Sequence, residues 1–276
     1  MDWSAVAAIA SRDARAGLRN RWFILYVVVF LVLSVGFSWV ALAGTELTGQ
    51  AGFGRTSAGL LNLMLLMVPL IGLTIGAQAI VSDRQDRSLE YLLAQPVSPA
   101  EVYVGKYLGA AISLVLLLVF GFGWAGVALA VRGAAGSPGD FILLVVLTVL
   151  LGLAMLSIGY LISSFSPQTA AALGIAVSLW LVFVIIGDLG LMGSSLVMRL
   201  QPATLLTATL INPLDAYKIL SVDLLHSSME VLGPAGVYAM DRFGGALAPI
   251  LLAAVALWII VPLPIGYWLF RRVDVR

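Results

Sequence analysis

Five stretches without a charged side chain dominate this chain: Trp22–Thr45, Thr56–Ser82, Tyr107–Val131, Phe141–Gly187 and Phe243–Phe270. A helix needs about 20 apolar residues to cross the hydrocarbon core of a bilayer, and each stretch is long enough. Phe141–Gly187 is long enough for two crossings, and Ser163-Ser164-Phe165-Ser166-Pro167-Gln168 interrupts it with residues that favour a turn. The pattern predicts an all-α integral membrane protein, a single transmembrane domain over residues 1–276. Its six transmembrane helices fall at about 22–43, 60–82, 106–131, 141–163, 169–187 and 246–270. Ala41-Leu42-Ala43 looks like a signal-peptidase box. The apolar run before it exceeds the roughly 7–15 residues of a signal-peptide core, so the first span is expected to be retained.

Polar positions between the spans carry a second pattern. Trp3, Val6, Ala7, Ile9, Ala10, Ala14 and Leu18 recur at helical spacing, with Arg12, Asp13, Arg15 and Arg19 mostly opposite. This predicts an amphipathic N-terminal helix over 1–21, lying in the membrane interface. The segment 83–105 is a charged island with two helix starts. Ser82 with Gln85 fits a capping box, and Ser98 with Glu101 fits one with Pro99 at the first helical position. One short helix is expected from Asp83 to Ala94, then a turn at Gln95–Ser98, then a helix running from Pro99 straight into the third span. A loop that only joined two spans would not need Leu89, Tyr91, Leu92 and Leu93.

The connection 188–245 is longer than the roughly 12–15 residues beyond which loops usually carry structure or function. Leu200–Leu214 is apolar but too short to span, which predicts a re-entrant or interfacial piece before the last span. Asn212-Pro213-Leu214-Asp215 reads as a helix cap, a proline in the first turn and an acid near the exposed N–H groups. A helix should follow through Tyr217, Lys218 and Leu224.

Charge sets the orientation. Six spans put both termini on one side, and that side receives ten of the 15 basic residues, which places the termini in the cytoplasm. The segment 83–105 is then cytoplasmic and 188–245 lies on the opposite side of the membrane, in a multi-pass protein. Composition agrees: 61% of residues are hydrophobic and 11% charged, against about 25% charged in soluble domains. The net charge of +1 supports no nucleic-acid partner.

Several chemistries are excluded. There are no cysteines, and the one histidine, His226, rules out an HExxH pair. Gly105-Lys106 is followed by Tyr107 and lacks a preceding glycine loop, so there is no nucleotide-binding P-loop. The spans carry no acid, base or histidine, which coupled carriers keep within the membrane. Met64 and Met67 form a thioether pair able in principle to bind Cu(I), but methionine is ordinary core filler, and no metal site is assigned. No catalytic residue is assigned, and the chain is not expected to be an enzyme. The glycine pairs Gly72/Gly76 and Gly105/Gly109 permit close helix approach.

The residues Ile80-Val81-Ser82-Asp83-Arg84-Gln85-Asp86-Arg87-Ser88-Leu89-Glu90-Tyr91-Leu92-Leu93-Ala94-Gln95-Pro96-Val97-Ser98, then Gly105-Lys106, resemble the cytoplasmic signature of ABC-2 type permeases, also called type V exporter-like. That signature is an acidic–basic start, a small residue, L-E-x-L-L, P-[VI]-S and G-K. Within the family, Asn212-Pro213-Leu214-Asp215-Ala216-Tyr217-Lys218 is similar to the outer motif of permeases that serve nitrous-oxide reductase maturation.

The resemblance implies a permease homodimer in the lipid bilayer of a bacterial inner membrane, with 188–245 as its periplasmic segment, paired with a separate NosF-like ATPase that holds ATP and Mg. It further implies a NosD-like periplasmic β-helical protein and, indirectly, a NosL-like copper chaperone. Asp83, Arg84, Asp86, Arg87 and Glu90 would make polar contacts with the ATPase, with Leu89 and Leu92 as anchors. Asn212, Pro213, Asp215, Tyr217 and Lys218 would form a periplasmic partner site or gate. Such a permease either exports a small species or transmits ATP-driven motion across the membrane. The uncharged spans favour transmission, because they offer a metal ion little to bind. The alternatives are an ABC-2 exporter of another substrate, or an ATPase-independent scaffold or channel.

Overall fold

The structure, a computed structural model, describes residues 1–19, 50–131, 138–196, 210–224 and 243–274, with isolated helical positions between 24 and 36. The first expected span therefore lies largely outside the described residues. So does most of the connection 188–245, of which 188–196, 210–224 and 243–245 are described.

The described residues are helical, with no strand among them: α1 Trp3–Arg19, α2 Gln50–Gln78, α3 Val81–Gln85, α4 Ser88–Leu93, α5 Pro99–Val131, α6 Pro138–Phe165, α7 Thr169–Leu196, α8 Pro213–Leu224, α9 Leu247–Ile260 and α10 Pro262–Asp274. Four stretches among them are long and apolar enough to cross a membrane: Met64–Gln85, Pro99–Trp124, Gly139–Phe165 and Gly244–Val273. Thr169–Ile185 is a shorter apolar stretch within α7. The helix itself continues past Gly187 to Leu196, since no proline stops it.

Helix α6 is the centre of the bundle, packed by α2, α5, α9 and α10. Lipid is as apolar as leucine, so helices associate through close packing and hydrogen bonds rather than through escape from water. The glycines supply the closeness. A Cβ on Gly72 would lie 2.8 Å from the Gly152 carbonyl oxygen and 2.9 Å from Met155 Cβ. One on Gly76 would strike the Leu156 carbonyl, and one on Gly159 the Leu73 carbonyl. The Gly72/Gly76 pair thus seats α2 on α6 within one chain. Met64 is fully buried in the cluster formed there, with Met67 packed at its edge.

Three expectations change. The N-terminal helix forms as its periodicity predicts, but its apolar face meets protein. Val6, Ile9, Ala10 and Ala14 are buried, and the backbone of α1 passes over the second glycine pair on α5. A Cβ on Gly105 would sit 2.9 Å from Ile9 Cβ, and one on Gly109 would sit 2.9 Å from the Ala10 carbonyl. Trp3 and Leu18 stay exposed.

The island is two helices rather than one. Arg87 takes a left-handed conformation at φ 56° between α3 and α4, which costs a non-glycine residue roughly 1–2 kcal/mol.

The Ser82–Gln85 capping box does not form. The Ser82 hydroxyl donates to the Gln78 carbonyl, because the chain is already helical there. The Ile80 and Val81 N–H groups donate instead to the Ser163 hydroxyl on α6, both at 2.9 Å.

Candidate functional site

The island is fixed by the ends of other helices. A helix leaves its last carbonyls and first N–H groups without internal partners. The turn 166–168 between α6 and α7 exposes both kinds. Arg84 donates to the Ser166 carbonyl at 2.6 Å and to the Ser164 carbonyl at 3.1 Å. The Gln85 side-chain oxygen accepts the Thr169 N–H at 3.1 Å, and the Thr169 hydroxyl as well. Helix α3 thereby closes the end of one span and the start of the next.

A second fastening is ionic. Lys106, only 3% exposed, donates to Asp13 at 2.8 Å and also to Asp83. One ammonium joins α1, α3 and α5. A buried charge of this kind is tolerated only when paired, and two carboxylates meet that condition. Sequence reasoning missed this triad because its members lie 23 and 93 residues apart. The available signal was a lysine about two turns inside a capped apolar helix.

The Ser98–Glu101 box does form. The Glu101 carboxylate accepts the Ser98 N–H at 2.8 Å, and the Ser98 hydroxyl accepts the Glu101 N–H at 3.3 Å, with α5 starting at Pro99. Glu101 also accepts the Asp2 N–H at 2.6 Å, which pins the start of α1 to the start of α5. Asp2 caps α1 by accepting the Ser4 N–H and hydroxyl. Those bonds hold its carboxyl below the ordinary carboxylate range.

On α4 the inward and outward faces separate. Leu89 is 2% exposed in a cluster with Ile9, Ile80, Val102, Tyr103, Tyr160 and Phe270, and Leu92 and Leu93 pack against it. Asp86, Arg87, Glu90 and Tyr91 face outward, with Tyr91 76% exposed. Of the residues expected to meet a partner, Asp83, Arg84 and Leu89 are held by contacts inside the chain. Asp86, Arg87 and Glu90 remain on the surface. Tyr91 joins them as an aromatic group that the leucine pattern overshadowed.

At the Asn212 motif the cap is local, as its sequence predicts. The Leu214 N–H donates to Asn212 Oδ1 at 3.1 Å, and Asn212 Nδ2 donates to Asp215 at 2.9 Å and to the Phe183 carbonyl at 3.0 Å. Helix α8 is nevertheless buried among α6, α7 and α9. Asn212, Pro213, Asp215 and Tyr217 are enclosed, and Lys218 is half-buried. The Tyr217 and Thr148 hydroxyls pair at 2.9 Å inside the bundle. Among the described residues no group of three or more His, Asp or Glu side chains could hold a metal ion.

A bundle of long apolar helices, whose charged connecting helices are locked to four others and present a polar–aromatic face, has the form of a transporter's membrane subunit. The ABC-2 family transporter model matches residues 7–275, and the chain belongs to that family. The chain is similar to the probable ABC transporter permease protein NosY of Pseudomonas aeruginosa, 32% identical over 97% of this chain and 98% of that one. It is also similar to the protein of the same description from Stutzerimonas stutzeri, 30% identical over 96% and 97% of the two chains.

Proposed function

We propose that this chain is the permease subunit of a NosY-type ABC transporter needed for copper-centre assembly of nitrous-oxide reductase. It takes energy from a separate NosF-like ATPase through α3 and α4, in an inner membrane with both termini cytoplasmic. The observation that carries this reading is the anchoring of the island. Asp86, Arg87, Glu90 and Tyr91 form a free face, while Arg84, Gln85 and Asp83 tie that face to α6, α7, α5 and α1. A push on the free face has no slack to absorb it and reaches several spans at once.

The remaining steps follow from that coupling. Motion entering at α3 passes along α6, which packs on α8 near its own midpoint through Thr148 and Tyr217, and on toward its N-terminal end. A NosD-like periplasmic protein would read the movement there, in a homodimer of permeases, with a NosL-like chaperone supplying copper downstream. Mechanical transmission suits spans whose buried ammonium, Lys106, is already taken up by Asp13 and Asp83; export of a small species is the second outcome.

The test is to reconstitute the permease with its candidate ATPase and replace Tyr91 by alanine. A buried aromatic anchor at an interface is worth about 2 kcal/mol or more, roughly 30-fold in affinity. ATPase binding and copper loading of the reductase should fall together, with the permease still inserted and folded. Unchanged ATPase binding in Tyr91→Ala and in Glu90→Lys would remove α4 as the coupling element. Movement of copper or sulfur species above an ATPase-dead control would replace transmission by export.

A further inference from the structure

Leu89 of α4 shares one buried cluster with Tyr103 of α5, Tyr160 of α6 and Phe270 of α10. Tyr103 stands at its centre. Its ring centre lies 4.8 Å from that of Tyr160, 5.4 Å from that of Tyr267 and 5.5 Å from that of Phe270. Its hydroxyl donates to the Leu263 carbonyl at 3.0 Å, and its own carbonyl accepts the Tyr160 hydroxyl at 2.7 Å.

A hydroxyl in an apolar cluster costs free energy unless it is paired, so packing alone calls for phenylalanine there. The Tyr103 hydroxyl instead fixes the backbone of α10. One side chain thus holds α10 at two heights. Leu263 lies in the first turn, and Phe270 lies seven residues on, a rise of about 10 Å. The fit depends on Gly266 between them. A Cβ there would strike the Tyr103 hydroxyl and come within 3.4 Å of Leu161 Cα on α6.

The held end of α10 adjoins a break. Val261 separates α9 from α10. Pro262 and Pro264 bring no N–H to the helix ladder, so the Trp258 and Ile260 carbonyls lose their intrahelical donors. Kinks concentrate at such prolines. Helix α9 packs on α8 and α6. Of the four long apolar stretches, the one holding α9 and α10 is the least enclosed, 28% buried against at least 44% for the others. The far end of α10 therefore has room to tilt. The tight contacts at Leu263 and Gly266 form its fulcrum, and the Phe270 ring is where a push arrives.

We propose that Tyr103 is a positioning residue that carries displacement of α4 to the last span. Leu89 presses on its ring, the ring presses on Phe270, and α10 tilts about Val261 while α9 stays with α8. This role rests on α4 being the element that meets the ATPase, and it makes α10 a second output beside α6.

The chain has no cysteine, so spin labels on Ala171→Cys and Val273→Cys report one distance in the permease–ATPase complex. Both positions are exposed. Trapping the ATPase with ADP and orthovanadate should move the Val273 label. A tilt of about 10° over the roughly 18 Å of helix from Val261 shifts it by about 3 Å. Tyr103→Phe keeps the ring and removes the hold on Leu263. It should lose most of that shift, with ATPase affinity and the resting distance as in the wild type, a pattern that loss of packing alone does not give. Phe270→Leu removes the point of push; it should lose the shift as well, and it decides if Tyr103→Phe fails to accumulate. A full shift in a folded variant overturns the proposal. So does a bound, trapped ATPase with an unmoved Val273 label, which leaves the role of α4 standing. A wild-type permease that binds no ATPase, measured separately as affinity, overturns the role of α4 and that of Tyr103 with it.

Discussion

The two polar regions of this bundle solve the same problem in opposite ways. Around Lys106, charged groups from α1, α3 and α5 meet in one triad, and the neighbouring helix α4 keeps a solvent-facing side. Around Tyr217, a hydroxyl pairs with a hydroxyl and the buried Asp215 carboxylate takes the Asn212 amide, and most of the helix is enclosed. Charge pairing leaves a region that can be rigid inside and exposed outside. Pairing through single hydroxyl and amide contacts leaves one that can be swallowed by the bundle. The first suits an input surface, and the second suits a part that moves with its surroundings.

The largest expected effect breaks the charged region. Lys106→Met strands Asp13 and Asp83 opposite each other with no cation between them. Removing one partner of a buried ion pair costs about 3–5 kcal/mol, so detergent melts should show a large loss of stability or failure to accumulate in the membrane. Wild-type melting in this variant would mean the triad is solvated rather than structural.

Gly159→Ala is next and probes the seam that the two regions share. Its methyl group would meet the α2 backbone at Leu73, and overpacking of a tight seam costs about 1–3 kcal/mol. If melting does not change, the α2–α6 approach is looser than described.

Tyr217→Phe gives the smallest effect. It deletes one hydroxyl from the enclosed region and should cost about 1 kcal/mol, leaving ATPase binding untouched. A loss as large as that of Lys106→Met would erase the contrast between the regions.

What the sequence made legible was local. The Ser98–Glu101 box, the start at Pro99, the cap at Asn212 and the amphipathic period of Trp3–Arg19 each follow from residues within one or two turns of each other. What it hid needed a third helix. Ser82 and Gln85 have the spacing of a capping box, yet Ser163, more than 80 residues away, supplies the oxygen and frees Gln85 to cap α7. The period of α1 was readable, but not whether lipid or α5 would cover it. Gly105/Gly109 showed that something comes close, and only Ile9 and Ala10 show what. Arg87 carried no glycine or asparagine signal for its left-handed turn, so one helix was expected where two stand.

The seating of α1 on α5 imposes an order on biogenesis. Asp13 emerges from the ribosome 93 residues before the lysine it must neutralise. At synthesis rates of about 5–20 residues per second, that is a wait of roughly 5–20 s. During that interval the apolar stripe of Val6, Ile9, Ala10 and Ala14 has no seat, and the membrane surface is the natural place to store it. The same helix thus belongs to lipid early in its life and to protein afterwards. The arrival of residues 105–113 sets the moment of exchange.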